Sequence, residues 1–229
     1  MFDKQTAYKS ELIKHLYFNN TLSCSELSML TKKSLPLTAK FLDKLLKEKC
    51  IEVIGFANST GGRRAQTYSL KPDFGYMLCV AMDQFITKIG ILDMHNTIVG
   101  EVKKIDLPLK NNQHALVQLR NNILEQVNKS GIAREKMVGI GIGMPGFVDV
   151  KKGVNYMFLP SAGGSIVSYI KQEIDLPILI DNDSSLLGLA ELRLGDARYY
   201  NNVMVINIGW GVGLGMILEG KLFRGHNGF

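Results

Sequence analysis

The hydrophobic pattern of this chain changes at Pro72, and this change constrains the fold more than any other feature of the sequence. Before Pro72, apolar residues recur at helical spacing in three segments and then alternate with polar residues in two shorter ones. After Pro72, apolar strands alternate with amphipathic helices. Because 229 residues suffice for one large domain or two small ones, we predict a helical head over residues 1–72 and an α/β body after it.

Three helices are predicted in the head. The first covers about residues 4–18, where five apolar side chains share one helical face: Tyr8, Leu12, Ile13, Leu16 and Tyr17. Ser23 and Glu26 have the spacing of a capping box and begin a short second helix. Ser34 is a candidate N-cap of the third helix, and Pro36 lies in its first turn, where the missing N–H is tolerated.

A β-hairpin is predicted after the third helix. Ile51 and Val53 alternate with polar residues, residues 61–64 form a glycine-rich turn, and Gln66–Leu70 is the return strand. Helix, short helix, helix and hairpin is the element order of a winged helix-turn-helix, which places a helix in the DNA major groove. The alternative is a small helical module that docks another protein.

The positive charge of the chain is concentrated in the head. The formal net charge is +6, and residues 1–70 hold 11 basic and 6 acidic side chains, whereas residues 71–229 hold 16 and 15. A basic head on a nearly neutral body favours binding to a polyanion such as DNA. A solvated basic surface would also explain the charge.

Six head residues are candidate DNA contacts. Four lie at or near the start of the third helix and would face base edges or phosphates: Lys33, Ser34, Thr38 and Lys40. Arg63 and Arg64 lie at the hairpin tip and would reach the minor groove or the backbone. The alternatives are that Thr38 packs in the core and that Lys40 is solvated.

The sequence argues against a membrane or secreted protein. It has no run of 18 apolar residues, and its first residues lack the apolar segment of a signal peptide. The cysteines are far apart and form neither a disulfide framework nor a metal motif: Cys24, Cys50 and Cys79. The histidines are scattered as well, so no metal site is predicted: His15, His95, His114 and His226. From these features together we expect a cytoplasmic protein with no membrane partner.

The body combines strands and helices. Strands are predicted at residues 76–82, 88–93, 97–106, 138–142, 178–180, 203–208 and 214–218. Helices are predicted around residues 116–127, 166–174 and 184–194. Three strands followed by alternating helices and strands predict a mixed α/β sheet, with ligand-binding loops at the strand ends.

Two glycine-rich segments interrupt the body. Gly141, Gly143 and Gly146 match the letters of a dinucleotide-binding motif, but no helix is predicted directly after them, so a tight turn beside a ligand is favoured. Residues 209–215 alternate glycine with larger residues between two strands. This second segment either lets the backbone approach a ligand or phosphate, or relieves packing in an ordinary hairpin.

One carboxylate stands out at the end of a predicted strand. Asp183 follows Asn182 and precedes two serines at the start of a helix. It is either the N-cap of that helix or a site carboxylate that binds a hydroxyl-rich ligand or acts as a general base.

Four segments in order resemble the ROK family of sugar-responsive repressors and sugar kinases, and the resemblance covers essentially the whole chain. They are GGRRAQTYSLKPDFGYMLCVAMD (Gly61–Asp83), VGIGIGMPGFVD (Val138–Asp149), IDNDSSLLGLAE (Ile180–Glu191) and INIGWGVGLGMILEGKLFRGHNG (Ile206–Gly228). The resemblance implies an actin-like, ribonuclease H-like domain with a first lobe over residues 73–198. The second lobe is expected to be incomplete, with only its opening hairpin in residues 199–229.

The resemblance also implies which residues form the site. Asp183 occupies the position of the kinase base and, with Asn182 and Asn227, is expected to bind a sugar. Asp83, Thr87, Gly211 and Gly213 are the remnant of the phosphate-binding loops. Phe85 and Ile86 replace the two glycines of the first loop, and their side chains should prevent close approach of a phosphate. We therefore expect no catalysis and a vestigial base.

Further expectations concern the end of the chain. The hairpin of residues 199–229 should have unpaired strand edges and an exposed apolar face, which predicts association or disorder there. Family members carry a zinc site beyond this point, so zinc is expected only in a C-terminal part that this chain lacks.

The functional hypothesis is a DNA-binding transcriptional regulator of carbohydrate genes, in which a homodimer binds an operator and a sugar or sugar phosphate changes the DNA affinity. The first alternative is a ROK-type sugar kinase with an accessory basic head. The second is a scaffold that docks other proteins.

Overall fold

A computed structural model of the chain describes residues 4–56, 64–159 and 164–225. The chain divides into two units: Met1–Gly75 with Asp93–Thr97, and Tyr76–Leu92 with Ile98–Phe229. The first unit contains the helical head and the second contains the α/β body. In the part of the chain described, no helix is both long and apolar enough to cross a membrane.

The head consists of three helices and a small antiparallel sheet. Its elements are α1 (Lys4–Asn19), β1 (Leu22–Ser23), α2 (Cys24–Thr31), α3 (Leu35–Lys47), β2 (Ile51–Phe56) and β3 (Gln66–Leu70). Strand β3 lies between β1 and β2. The predicted order of helices and hairpin is therefore confirmed. Strand β1 was not predicted, because two residues are too few for an alternating pattern.

Local signals set the helix starts of the head. The Ser23 hydroxyl accepts the Glu26 N–H at 3.3 Å, and the Glu26 carboxylate accepts the Ser23 N–H at 2.7 Å, which is the predicted capping box. Ser34 occupies the N-cap position of α3 without a side-chain cap bond, and Pro36 lies in the first turn. The helices and the sheet enclose a core of fully buried apolar side chains: Leu12, Leu16, Leu27, Leu42, Leu45, Ile51 and Leu70.

The body is built on a five-stranded mixed sheet of order β10–β7–β4–β5–β6. Its strands are β4 (Tyr76–Met82), β5 (Ile86–Asp93), β6 (Ile98–Asp106), β7 (Met137–Met144) and β10 (Ile178–Asn182). Strands β10 and β4 both run parallel to β7, whereas β5 and β6 are antiparallel. Helices α4 (Ala115–Lys129) and α5 (Ile166–Lys171) contribute buried side chains to its core. The predicted mixed α/β sheet is confirmed.

Two smaller sheets complete the body. Strands β8 (Val148–Asp149) and β9 (Val154–Asn155) form a short hairpin after β7. Strands β11 (Val203–Ile208), β12 (Val212–Leu218) and β13 (Lys221–Leu222) form an antiparallel sheet. Helix α6 (Asp183–Leu194) follows β10 directly and packs on β11 and β12.

Several bounds differ from the sequence prediction for physical reasons. Strand β5 begins at Ile86 instead of Lys88, because the Asp83 carboxylate closes a tight turn ahead of it. Strand β7 extends to Met144 and includes three glycines, because it is paired on both sides, with β10 and with β4, in the interior of the sheet. As the sequence predicts, no helix opens directly after this glycine motif, and the next helix among the described residues begins at Ile166.

Candidate ligand-binding cleft and DNA-binding surface

A cleft of about 600 Å³ lies where three parallel strands of the body end. Asp83 follows β4, Pro145 follows β7 and Asp183 follows β10, and all three line the cleft. The β11–β12 turn supplies a further wall with Asn207 and the segment 209–214. Because ligands of open α/β sheets bind at the carboxyl ends of strands, this cleft is the candidate ligand site.

Asn182 caps helix α6. Its side-chain oxygen accepts the N–H groups of Ser184 and Ser185, each at 3.0 Å, and its side-chain amide donates to the Gly146 carbonyl at 3.1 Å. The N-cap is therefore Asn182, and the capping alternative for Asp183 is wrong. Both groups of the Asn182 side chain hold the protein together, which leaves its predicted sugar contact without direct support.

Asp183 is half-buried and lines the cleft. One carboxylate oxygen accepts the N–H of Ser184 at 2.7 Å and its hydroxyl at 3.2 Å. The other lies 3.5 Å from the side-chain amide of Asn207, which also donates to the Ser184 hydroxyl at 3.3 Å. These donors hold the carboxylate in a polar cluster, where it can accept a hydrogen bond from a ligand hydroxyl.

Asp181, two residues earlier, serves a different purpose. Its carboxylate forms an ion pair with Arg224 through the two terminal guanidinium nitrogens, Nη1 at 3.0 Å and Nη2, and these bonds raise the pKa of Arg224 above its usual value. The pair joins the end of β10 to the segment after β13. Asp181 is therefore held by an ion pair and does not line the cleft, whereas Asp183 does.

The second glycine segment serves packing at some positions only. A Cβ at Gly213 would lie 1.9 Å from the Ser184 hydroxyl, and one at Gly215 would lie 2.5 Å from the Ser184 carbonyl. By contrast, a Cβ at Gly209 or Gly211 would meet nothing within 4 Å. Glycine at 213 and 215 is therefore required by the close approach of β12 to α6.

Comparison with known proteins identifies the family. The model of the ROK family matches residues 78–229. The chain belongs to the ROK family. The match covers the body, including the cleft and the β11–β12 turn.

Curated relatives of this ROK chain include repressors and kinases. The xylose repressors of Caldicellulosiruptor bescii and Bacillus subtilis (strain 168) are 27% and 28% identical to it, each over 95% of the chain. The glucokinase of Halalkalibacterium halodurans is 31% identical over 58% of the chain. The chain spans only 55% and 57% of the two repressors, so it matches about half of their length.

Solved structures show the same fold. A ROK family transcriptional regulator, described as a homologue of the E. coli MLC protein, has a TM-score of 0.70 and 21% identity over 90% of this chain and 53% of its own. A ROK family glucokinase from Streptomyces griseus, in complex with glucose and AMPPNP, has a TM-score of 0.53 and 24% identity over 67% of this chain and 48% of its own. The actin-like fold expected from the resemblance is thereby confirmed.

The turn at the expected position of the first phosphate-binding loop is closed by hydrogen bonds within the turn itself. One Asp83 carboxylate oxygen accepts the N–H groups of Phe85 and Ile86, both at 2.7 Å. The Phe85 ring packs edge-on against Trp210 of the β11–β12 turn, with centroids 4.7 Å apart. These two backbone N–H groups are already bonded to a carboxylate, so a phosphate would have to displace a like charge to reach them.

The four residues of the predicted phosphate-loop remnant do not all lie in the cleft. Asp83, Gly211 and Gly213 line the cleft. Thr87 does not, because its side chain is fully buried in the core on the opposite face of β5 from exposed Lys88. The expectation that Thr87 contributes to the site is therefore corrected.

The candidate DNA contacts of the head differ in their exposure to solvent. Lys33, Ser34 and Lys40 are exposed at the start of α3 or on its outer side. Thr38 is fully buried, and its hydroxyl bonds to the Tyr8 hydroxyl at 2.8 Å and to the Ser34 carbonyl at 3.0 Å. Thr38 therefore packs in the core, and its expected contact with DNA is wrong.

Two further lysines lie near Lys33 and Lys40 on the head. A groove of about 290 Å³ between α1 and α3 is lined by four lysines: Lys4, Lys33, Lys40 and Lys44. Sequence reasoning missed Lys4 and Lys44, because their proximity to Lys33 and Lys40 depends on how α1 packs against α3.

Arg64 is exposed before β3, whereas Arg63 and the cleft candidate Asn227 lie outside the described residues.

Sequence reasoning also missed Asn207 in the cleft. The only available signal was its polar side chain in an otherwise apolar strand.

Among the described residues, no group of three or more His, Cys, Asp or Glu side chains could hold a metal ion.

Proposed function

We propose that this chain is the DNA-binding and sugar-binding part of a ROK transcriptional repressor of carbohydrate genes. The observation that carries the proposal is the extent of the similarity. Proteins named xylose repressor match 95% of the chain, head included, whereas the glucokinase of H. halodurans matches 58%. A function that requires the head, such as DNA binding, explains why the repressors match more of the chain than the glucokinase does.

In this proposal the head is a winged helix-turn-helix over residues 1–72. Helix α3 enters the major groove, and Lys33, Ser34 and Lys40 contact bases or phosphates there. Arg63 and Arg64 of the hairpin contact the minor groove or the backbone. A homodimer binds two operator half-sites, and the protein acts in the cytoplasm.

The body, with a first lobe over residues 73–198 and the opening hairpin of a second lobe over residues 199–229, binds the effector in the cleft. Asp183 accepts a hydrogen bond from a sugar hydroxyl, with Asn182 and Asn227 beside it. Sugar binding favours one conformation of the protein and thereby changes its DNA affinity. The chain does not phosphorylate the sugar, because the Asp83 carboxylate occupies the N–H groups of Phe85 and Ile86 in the turn at the phosphate-loop position.

The test is fluorescence anisotropy of a labelled mixed-sequence DNA duplex titrated with the chain at increasing salt. We expect the logarithm of the binding constant to fall linearly with the logarithm of salt concentration. Lys33→Ala and Lys40→Ala should each reduce this slope by about one unit. The matched control is Lys171→Ala, an exposed lysine of the body, which should leave the slope unchanged.

Two outcomes contradict the proposal. Absence of DNA binding at low salt would mean that the head docks another protein. An unchanged slope in both head variants would mean that α3 does not contact phosphates.

A further inference from the structure

Trp210 is an exposed aromatic residue that the fold does not need for its core. It is the single tryptophan of the chain and lies at the tip of the β11–β12 turn, which the Gly209 N–H closes by donating to the Gly211 carbonyl at 2.9 Å. Its side chain is 72% exposed and lines the same cleft as Asp183. An aromatic side chain exposed beside a pocket is a common feature of ligand sites.

The indole ring of Trp210 is held by a second aromatic residue. Phe85 packs against it at an interplanar angle of 63°, an edge-to-face arrangement that aromatic pairs prefer. Phe85 itself belongs to the turn that the Asp83 carboxylate closes. The orientation of Trp210 is therefore set by a hydrogen-bonded turn at the end of β4, an element distant in sequence.

The two glycines beside Trp210 leave space around its ring. Neither Gly209 nor Gly211 has a positive φ, and a Cβ at either position would meet no atom within 4 Å. Neither backbone conformation nor internal packing therefore requires glycine there, unlike at Gly213. The missing side chains leave the indole accessible from the cleft.

The charge of the cleft limits the class of ligand. Its described lining includes the carboxylates of Asp83 and Asp183 and no lysine or arginine. Two carboxylates in a lining whose described residues include no lysine or arginine repel a phosphate. The lining therefore suits an uncharged molecule with both hydroxyl groups and an apolar face, which is the chemistry of a free sugar ring.

We propose that Trp210, supported by Phe85, determines the specificity of the cleft for an uncharged sugar ring. The C–H face of the ring stacks on the indole, while a ring hydroxyl donates to Asp183. This inference rests on the proposed sugar-binding function and adds a residue and an effector class to it. It excludes sugar phosphates as effectors.

The experiment is isothermal titration calorimetry of the chain with D-xylose, D-glucose and glucose 6-phosphate. We expect binding of at least one of the two free sugars and none of the phosphate. Trp210→Ala should weaken sugar binding by about three- to tenfold, the effect of losing one aromatic contact, and Trp210→Phe should restore most of it.

Two controls separate the contact from general effects. Tyr199 is an aromatic residue of equal exposure, 71%, outside the cleft lining, so Tyr199→Ala should leave sugar binding unchanged. Trp210 fluorescence should shift as the sugar is added, with the same dissociation constant as calorimetry, because it is the single tryptophan.

The outcomes distinguish this inference from the proposed function. If Asp183→Asn weakens sugar binding and Trp210→Ala does not, the role of Trp210 is wrong and the sugar site stands. If the phosphate binds as tightly as the free sugar, the effector class is wrong. If neither free sugar binds to the unmodified chain, the sugar-binding function fails together with this inference.

Discussion

Thr87 and Thr38 are both fully buried, yet their hydroxyls have opposite environments. The Thr38 hydroxyl is bonded to Tyr8 and to the Ser34 carbonyl, whereas the Thr87 hydroxyl has no partner among the described residues. Thr38→Val should lower the free energy of unfolding by about 1–2 kcal/mol, while Thr87→Val should leave it unchanged or raise it by about 1 kcal/mol. Urea denaturation of the two variants measures both effects. Equal destabilisation by the two substitutions would mean that Thr87 has a hydrogen-bond partner.

At the scale of elements, the contact between α6 and β12 depends on single glycines. Gly213→Ala places a methyl group 1.9 Å from the Ser184 hydroxyl, so we expect a loss of about 1–3 kcal/mol from overpacking. Gly211→Ala, two residues earlier in the same strand and turn segment, meets no atom and should change stability by less than about 0.5 kcal/mol. Thermal unfolding of both variants is the measurement. Equal melting temperatures would contradict the close approach of β12 to α6.

The other face of the same sheet is apolar and exposed. The paired residues of β11 and β12 on this face include Ile206 with Leu214 and Ile208 with Val212, and β11 is an edge strand. The exposed apolar face expected from the sequence is thus present. Association or disorder of this segment stays a prediction.

Over the whole molecule, positive charge and the carboxylate-lined cleft belong to different units. The head holds a groove lined by four lysines, and the described cleft lining of the body holds two carboxylates and no basic residue. We therefore expect that Mg-ATP does not bind in the cleft and that no sugar-dependent ATP hydrolysis occurs, as measured by calorimetry and by phosphate release with D-xylose or D-glucose. Sugar-dependent hydrolysis that Asp183→Ala abolishes would instead support the kinase alternative.

Much of the fold could be predicted from the sequence, because its signals are local. The capping box at Ser23 and the strands Gln66–Leu70 and Tyr76–Met82 were placed with their observed bounds. Each depends on residues close together in the chain: a side chain that reaches its own helix start, or an apolar run that ends at turn residues. The position of Asp183 at a strand end, and therefore in a cleft, follows from the same kind of signal.

The sequence by itself determined the helical head, the mixed sheet of the body and the location of the candidate carboxylate. The tertiary structure decided which neighbouring residue plays which part. It assigned the helix cap to Asn182, buried Thr38 and Thr87, and separated the packing glycine Gly213 from Gly211. It also brought Asn207 to Asp183 and Phe85 to Trp210. These assignments depend on atoms from segments distant in the chain, and hydrophobic periodicity carries no information about which distant segments meet.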